Sequence, residues 1–205
     1  MNIETFKQKF QSYSGLALVF FVLIHLIGLV YAGISPDGFE IYASSLHSNT
    51  FLPYLEIALS LTFTIHISLT LEKVLKNRFN GNKASLRTRR KDYIGVLSSR
   101  IQPFSGLILF LFLIIHLFQL RFPRPSNNME LFSLKENLKD IDTMILYSLA
   151  SISIFFHMVH GIESGHRSSG ILIQSNALKI RSIGRLISIF FGLSFLILTF
   201  YFRLY

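Results

Sequence analysis

Five stretches of this sequence, at about 13–32, 52–72, 103–121, 141–162 and 183–202, are apolar for long enough to cross a hydrocarbon layer. A bilayer core roughly 30 Å thick needs about 20 such residues in a helix. The few Asp, Glu, Lys and Arg side chains inside these stretches, among them Glu56, Arg121 and Asp142, lie near their ends. In lipid the backbone must satisfy its own hydrogen bonds, which leaves the helix or the closed barrel, and long unbroken apolar runs fit the helix. With 51% hydrophobic residues among 205 and a mean hydropathy of +0.49, little chain is left for a soluble domain. The chain therefore reads as one all-α integral membrane domain over 1–205, a bundle of five transmembrane helices.

The first span ends in Val30-Tyr31-Ala32, similar to a signal-peptidase site. Its apolar run exceeds the roughly 7–15-residue core of a secretory signal, so it reads as a retained span. Basic loops stay cytoplasmic. Two basic residues precede the first span (Lys7, Lys9), nine lie between the second and third (Lys73 to Arg100) and four between the fourth and fifth (Arg167 to Arg185), which puts 15 on one side. Arg121, Arg124, Lys135, Lys139 and Arg203 put 5 on the other. This split predicts a cytoplasmic amino terminus.

The basic loop carries an Asn80-Gly81 turn signal and the run Arg87-Thr88-Arg89-Arg90-Lys91. That run is either a topology determinant attracted to anionic lipid or a docking surface for a cytoplasmic partner. On the opposite side, Leu131, Leu134, Leu138 and Ile141 are spaced for a short interfacial helix leading into the fourth span, where Asp140 and Asp142 suit a helix start. Cysteine is absent. An iron-sulfur cluster or thiolate zinc site must then belong to a partner.

An internal repeat is the most informative pattern. Residues 11–26, QSYSGLALVFFVLIHL, match residues 102–117, QPFSGLILFLFLIIHL, at 9 of 16 positions without a gap. The repeated Gln, Ser, Gly and His are unusual in a membrane span, so the first and third helices share a template.

Four spans hold histidines: His25, His66, His116, and in the fourth both His157 and His160. A single membrane histidine is commonly a helix-helix hydrogen bond or a proton relay; four helices each presenting a buried one ask for a shared reason. His25 and His116 each lie fourteen residues beyond their repeat-related Gln11 and Gln102, so they share a depth. His66, seven residues before Lys73, and His157, six before Glu163, share another, nearer the inner surface. Two opposed histidine pairs in a bundle core suit two axially ligated haem irons. Bis-histidine coordination leaves no open position, which points to electron transfer. Zinc would want converging ligands at one point.

Gly15 and Gly106, each ten residues before its histidine, fall at the depth of the other pair, where a glycine makes room for a macrocycle edge or simply allows close helix packing. Gln11, Ser12, Arg100 and Gln102 cluster at the inner ends, placed for haem propionates or for the interface. His160 competes with His157 as fourth ligand; depth favours His157. His47 and His166 fall in loops. Glu56 lies near the level of the outer pair and either snorkels to the interface or exchanges protons with a quinone there.

Together FQSYSGLALVFFVLIHL, LPYLEIALSLTFTIH, RIQPFSGLILFLFLIIH and FFHMVHGI resemble, over nearly the whole chain, the two-haem five-span cytochrome b subunit of succinate dehydrogenase and fumarate reductase. The resemblance implies that His25 and His116 hold the distal haem b and His66 and His157 the proximal one. The family's Phe-His pattern favours His157; the additional His160 departs from it. It also implies flavoprotein and iron-sulfur subunits on the inner face, menaquinone or another quinone in the membrane, and a bacterial cytoplasmic membrane. Electrons would enter at the inner haem. A cytochrome b anchor of a nitrate reductase, formate dehydrogenase or hydrogenase, or a non-haem transporter, are the alternatives.

Overall fold

The computed structural model describes residues 3–80, 92–123 and 129–205. The Gly81 turn position, the run Arg87 to Lys91, and Arg124 lie outside them. The described residues form α1 (Ile3–Ile34), α2 (Pro36–His47), α3 (Leu52–Phe79), α4 (Tyr93–His116), α5 (Glu130–Lys139), α6 (Ile141–Ser168) and α7 (Ala177–Leu204). One π-helical turn, Leu117–Arg121, continues α4. No strand occurs among the described residues. Five helices, α1, α3, α4, α6 and α7, are long and apolar enough to cross a membrane.

Each of these outruns its apolar stretch, because a helix continues past the hydrocarbon as long as its ends are satisfied. α4 begins at Tyr93, not near residue 103, since Asp92 caps it by accepting a hydrogen bond from Gly95 N at 3.0 Å. Pro103 is carried inside the helix, as membrane helices tolerate.

The alternation of long helices gathers α2, α5 and the starts of α3 and α6 at one end, far from the amino terminus. α2 lay unread in the sequence. Its Glu40 accepts from Glu130 N (3.1 Å) and Leu131 N (2.8 Å), placing an anion on the first turn of α5, where the helix dipole favours it. Leu131, Leu134 and Leu138 are buried with Ala32, Tyr147 and Phe202. Ile141 does not continue their stripe and is 52% exposed, because the chain turns extended at Asp140 and restarts the helical register.

The bundle consists of two packed groups. α3 packs along α1; α4 packs on α6, and α6 on α7. Glycine permits that last approach: a Cβ on Gly192 would stand 2.8 Å from Phe155 Cβ. The groups meet where α1 lies along α6 and α7, whereas α3 has no comparable contact with α4 or α6 among the described residues. Side chains reach across instead, including the stacked rings of Phe63 and Phe110, 6.2 Å apart. At the amino-terminal end Lys7–Glu72 (2.6 Å) and Glu4–Lys76 (2.5 Å) tie α1 to α3, and Arg185 pairs with Asp92. Buried Glu163 is held by Arg167 and Arg181.

Candidate functional site

The two groups of helices face each other through imidazoles. His25 of α1 and His116 of α4 have ring centres 6.0 Å apart at an interplanar angle of 88°. His66 of α3 and His157 of α6 have theirs 6.4 Å apart at 65°. These are the pairs that equal depth selects, and the ring of His157 stands beside that of His66. His66, His116 and His157 are half-buried by the chain; His25 is exposed, contrary to expectation. Its helix does not pack extensively on α4, so protein covers only part of its ring, which stacks on Phe21.

Each histidine on one level is tied to the helix that bears a histidine on the other. A Cβ built on Gly15 would lie 3.1 Å from His66 Cε1, and one on Gly106 would lie 3.5 Å from His157 Cε1. The two glycines therefore sit at the level of the other pair, and the ten-residue rise to His25 and His116 separates the levels by about 15 Å. What the glycines admit is the imidazole itself.

Outer hydrogen-bond partners orient three of the rings. Ser14 Oγ donates to the Gln11 carbonyl (3.0 Å) and stands 3.2 Å from His66 Nδ1, so its oxygen is placed to accept the Nδ1 proton. The Gln102 amide lies 3.2 Å from His157 Nδ1 while its other atom, Oε1, is buried without a partner. Half a turn of that amide exchanges the two atoms and lets the oxygen accept from Nδ1. Tyr147 Oη is 2.9 Å from His116 Nδ1. In all three Nδ1 is occupied from behind, and Nε2 makes no hydrogen bond among the described residues. Such outer partners fix the tautomer and raise ligand basicity.

The spacing is compatible with two imidazoles on one metal. A ring nitrogen bonds a transition metal at about 2.0 Å and lies roughly 1.2 Å from its own ring centre, so two rings opposed across one metal would stand about 6.4 Å apart, centre to centre. The separations of 6.0 and 6.4 Å here lie within about 0.4 Å of that value. Among the described residues no three His, Asp or Glu side chains converge. Two protein ligands suffice only where the metal brings the rest of its coordination, as a haem does. The histidines, their Nδ1 partners and the side-chain-only bridge between α3 and its opposite helices fit haem.

The remaining candidates are dispersed. Gln11 Nε2 donates to Thr70 Oγ1 at 2.9 Å, joining α1 to α3 one turn from His66. Ser12 turns back to the Gln8 carbonyl (3.0 Å) and Arg100 is exposed. Glu56 is ion-paired with Arg121, whose Nε donates to it at 2.8 Å. His47 ends α2 and contacts Glu130 at 3.0 Å; His166, in the last turn of α6, bonds the Ile162 carbonyl at 2.7 Å. Ser14 and Tyr147 were missed. Ser14 had a signal, standing in the repeated Ser-Gly step beside Gly15; Tyr147 had none in the repeat. No family model matches the chain, and neither does any curated protein sequence or solved structure.

Proposed function

We propose that this chain is a two-haem membrane cytochrome b, with His25 and His116 as axial ligands of one haem b and His66 and His157 of the other. The observation that carries the proposal is the recurrence of one imidazole-imidazole spacing, 6.0 and 6.4 Å, at two levels of one bundle. Haem held by two histidines supplies reversible one-electron transfer. The chain's own residues do the rest: Ser14, Gln102 and Tyr147 hold the rings in the ligating tautomer, and the apolar helices exclude water.

The fuller assignment is the membrane-anchor subunit of succinate dehydrogenase or fumarate reductase, in a bacterial cytoplasmic membrane with the amino terminus inside. It is supported by the residues that carry the resemblance and by the 15-to-5 division of basic side chains. The chain's lack of cysteine accords with iron-sulfur and flavoprotein subunits as cytoplasmic partners, reached from the His66–His157 level near the amino-terminal end. The basic run Arg87 to Lys91 is the proposed contact for them, and quinone, menaquinone or another, the membrane partner, with Glu56 as its proton-exchanging group.

Purification with its partners from native membranes tests both levels. Two low-spin haems b per chain, reduced on adding succinate or reoxidised by fumarate, are expected. Two haems that answer instead to formate, hydrogen or nitrate would keep the cytochrome and reject the succinate assignment; a colourless chain would reject both.

A further inference from the structure

Of the three rings held at Nδ1 by Ser14, Gln102 and Tyr147, that of His116 begins a string of side chains that ends in a carboxylate. Tyr147 Oη, 2.9 Å from His116 Nδ1, donates to Gln119 Oε1 at 3.4 Å. Gln119 Nε2 donates to Thr143 Oγ1 at 2.9 Å, and Thr143 Oγ1 donates to Asp140 Oδ2 at 3.1 Å. With the His116 proton on Nδ1, as a metal-binding Nε2 requires, each oxygen that accepts passes a proton donor onward, and the string runs one way, from imidazole to anion. By contrast, Ser14 behind His66 ends on a backbone carbonyl, and Gln102 behind His157 is a neutral amide.

Two features of the fold build the string. The π-helical turn Leu117–Arg121 begins directly after His116 and carries Gln119; π turns inside helices are frequent at functional sites. Tyr147 and Thr143 are buried, and Leu131, Leu134 and Leu138 of α5 pack in the cluster that holds Tyr147. Hydrogen bonds shielded from water act more strongly on one another.

We propose that this string draws the His116 Nδ1 proton toward Asp140, which makes Nε2 the more electron-rich ligand and stabilises the oxidised form of the haem on the His25–His116 pair. The inference rests on the two-haem reading. Tyr147 is then a positioning and tuning residue, acting through His116.

Tyr147→Phe tests it, since the ring contact with Phe112 (4.8 Å) can persist without the hydroxyl. Potentiometric titration of the purified complex should find both haems present and one midpoint raised. A hydrogen bond of ordinary net strength corresponds to about a tenfold change in the reduced-to-oxidised ratio at fixed potential, about 59 mV for a one-electron couple. Low-temperature electron paramagnetic resonance should show the signal of the same haem shifted, as its axial ring gains freedom to rotate. Thr143→Val should move that haem in the same direction by less. Two unmoved midpoints and unmoved signals, with both haems present, would overturn the proposal. Should Tyr147→Phe lose the haem, Gln119→Leu, one link further from the ligand, decides: a raised midpoint supports the string and an unchanged one overturns it. Absence of haem from the unmodified complex would instead reject the two-haem reading itself.

Discussion

Gly15 of α1 lies against the imidazole of His66 on α3, so closely that a methyl group added at Gly15 would meet His66 Cε1 at 3.1 Å. That is tighter than ordinary van der Waals contact, and the ring cannot yield freely because Ser14 holds its Nδ1. The repeat-related Gly106 leaves 3.5 Å to His157, which a methyl group can occupy, and Gly28 has nothing within 4 Å.

Substitution by alanine should therefore distinguish the three. Gly15→Ala is expected to perturb or weaken the haem on the His66–His157 pair, seen as a shifted or diminished absorption band, while Gly106→Ala and Gly28→Ala keep both haems. Equal effects at Gly15 and Gly28 would mean that the contact places no constraint on the site.

The parts of the fold legible in the sequence are those written in periodicity and rare residues. Five spans follow from apolar length, and the partners of His25 and His66 follow from depth, because helical rise converts residue counts into height. The ends were less legible. α2 has neither the length nor the apolarity of a span, and the start of α4 depends on one capping contact by Asp92. Tyr147 carried no pattern at all: its role exists only because α6 brings it beside His116 from thirty-one residues away in the chain. Exposure of His25 was equally illegible, since it depends on how far α1 stands from α4.

Glu56 and Arg121 join α3 to the end of α4, with 33% and 23% of their side chains exposed. Glu56→Gln and Arg121→Gln each break this ion pair. Quinone turnover separates the roles. If Glu56 exchanges protons, Glu56→Gln slows turnover several-fold with both haem spectra intact, and Arg121→Gln slows it less. Equal small effects from both would leave Glu56 a structural partner of Arg121.

Burial pushes the Glu130 carboxyl above the ordinary carboxylate range; His47 opposes the shift, Glu40 adds to it, and Arg121 opposes it. A carboxyl with a raised folded value binds its proton more readily folded than unfolded, so its contribution to stability is fullest below the unfolded value and is lost as pH rises through the folded one. Amide hydrogen exchange of α5 should accordingly show the wild type losing protection, relative to Glu130→Gln, as pH rises through that window. Parallel profiles for the two proteins would show that Glu130 does not govern the docking of α5.

Haem content in paired histidine variants tests the central claim most directly, because it reads which side chains share an iron. The double variants His25→Ala with His116→Ala, and His66→Ala with His157→Ala, should each retain one haem per chain. His25→Ala with His66→Ala, which removes one ligand from each pair, should retain none or two weakly bound ones with altered spectra. One intact low-spin haem surviving in that cross-pair variant would contradict the account.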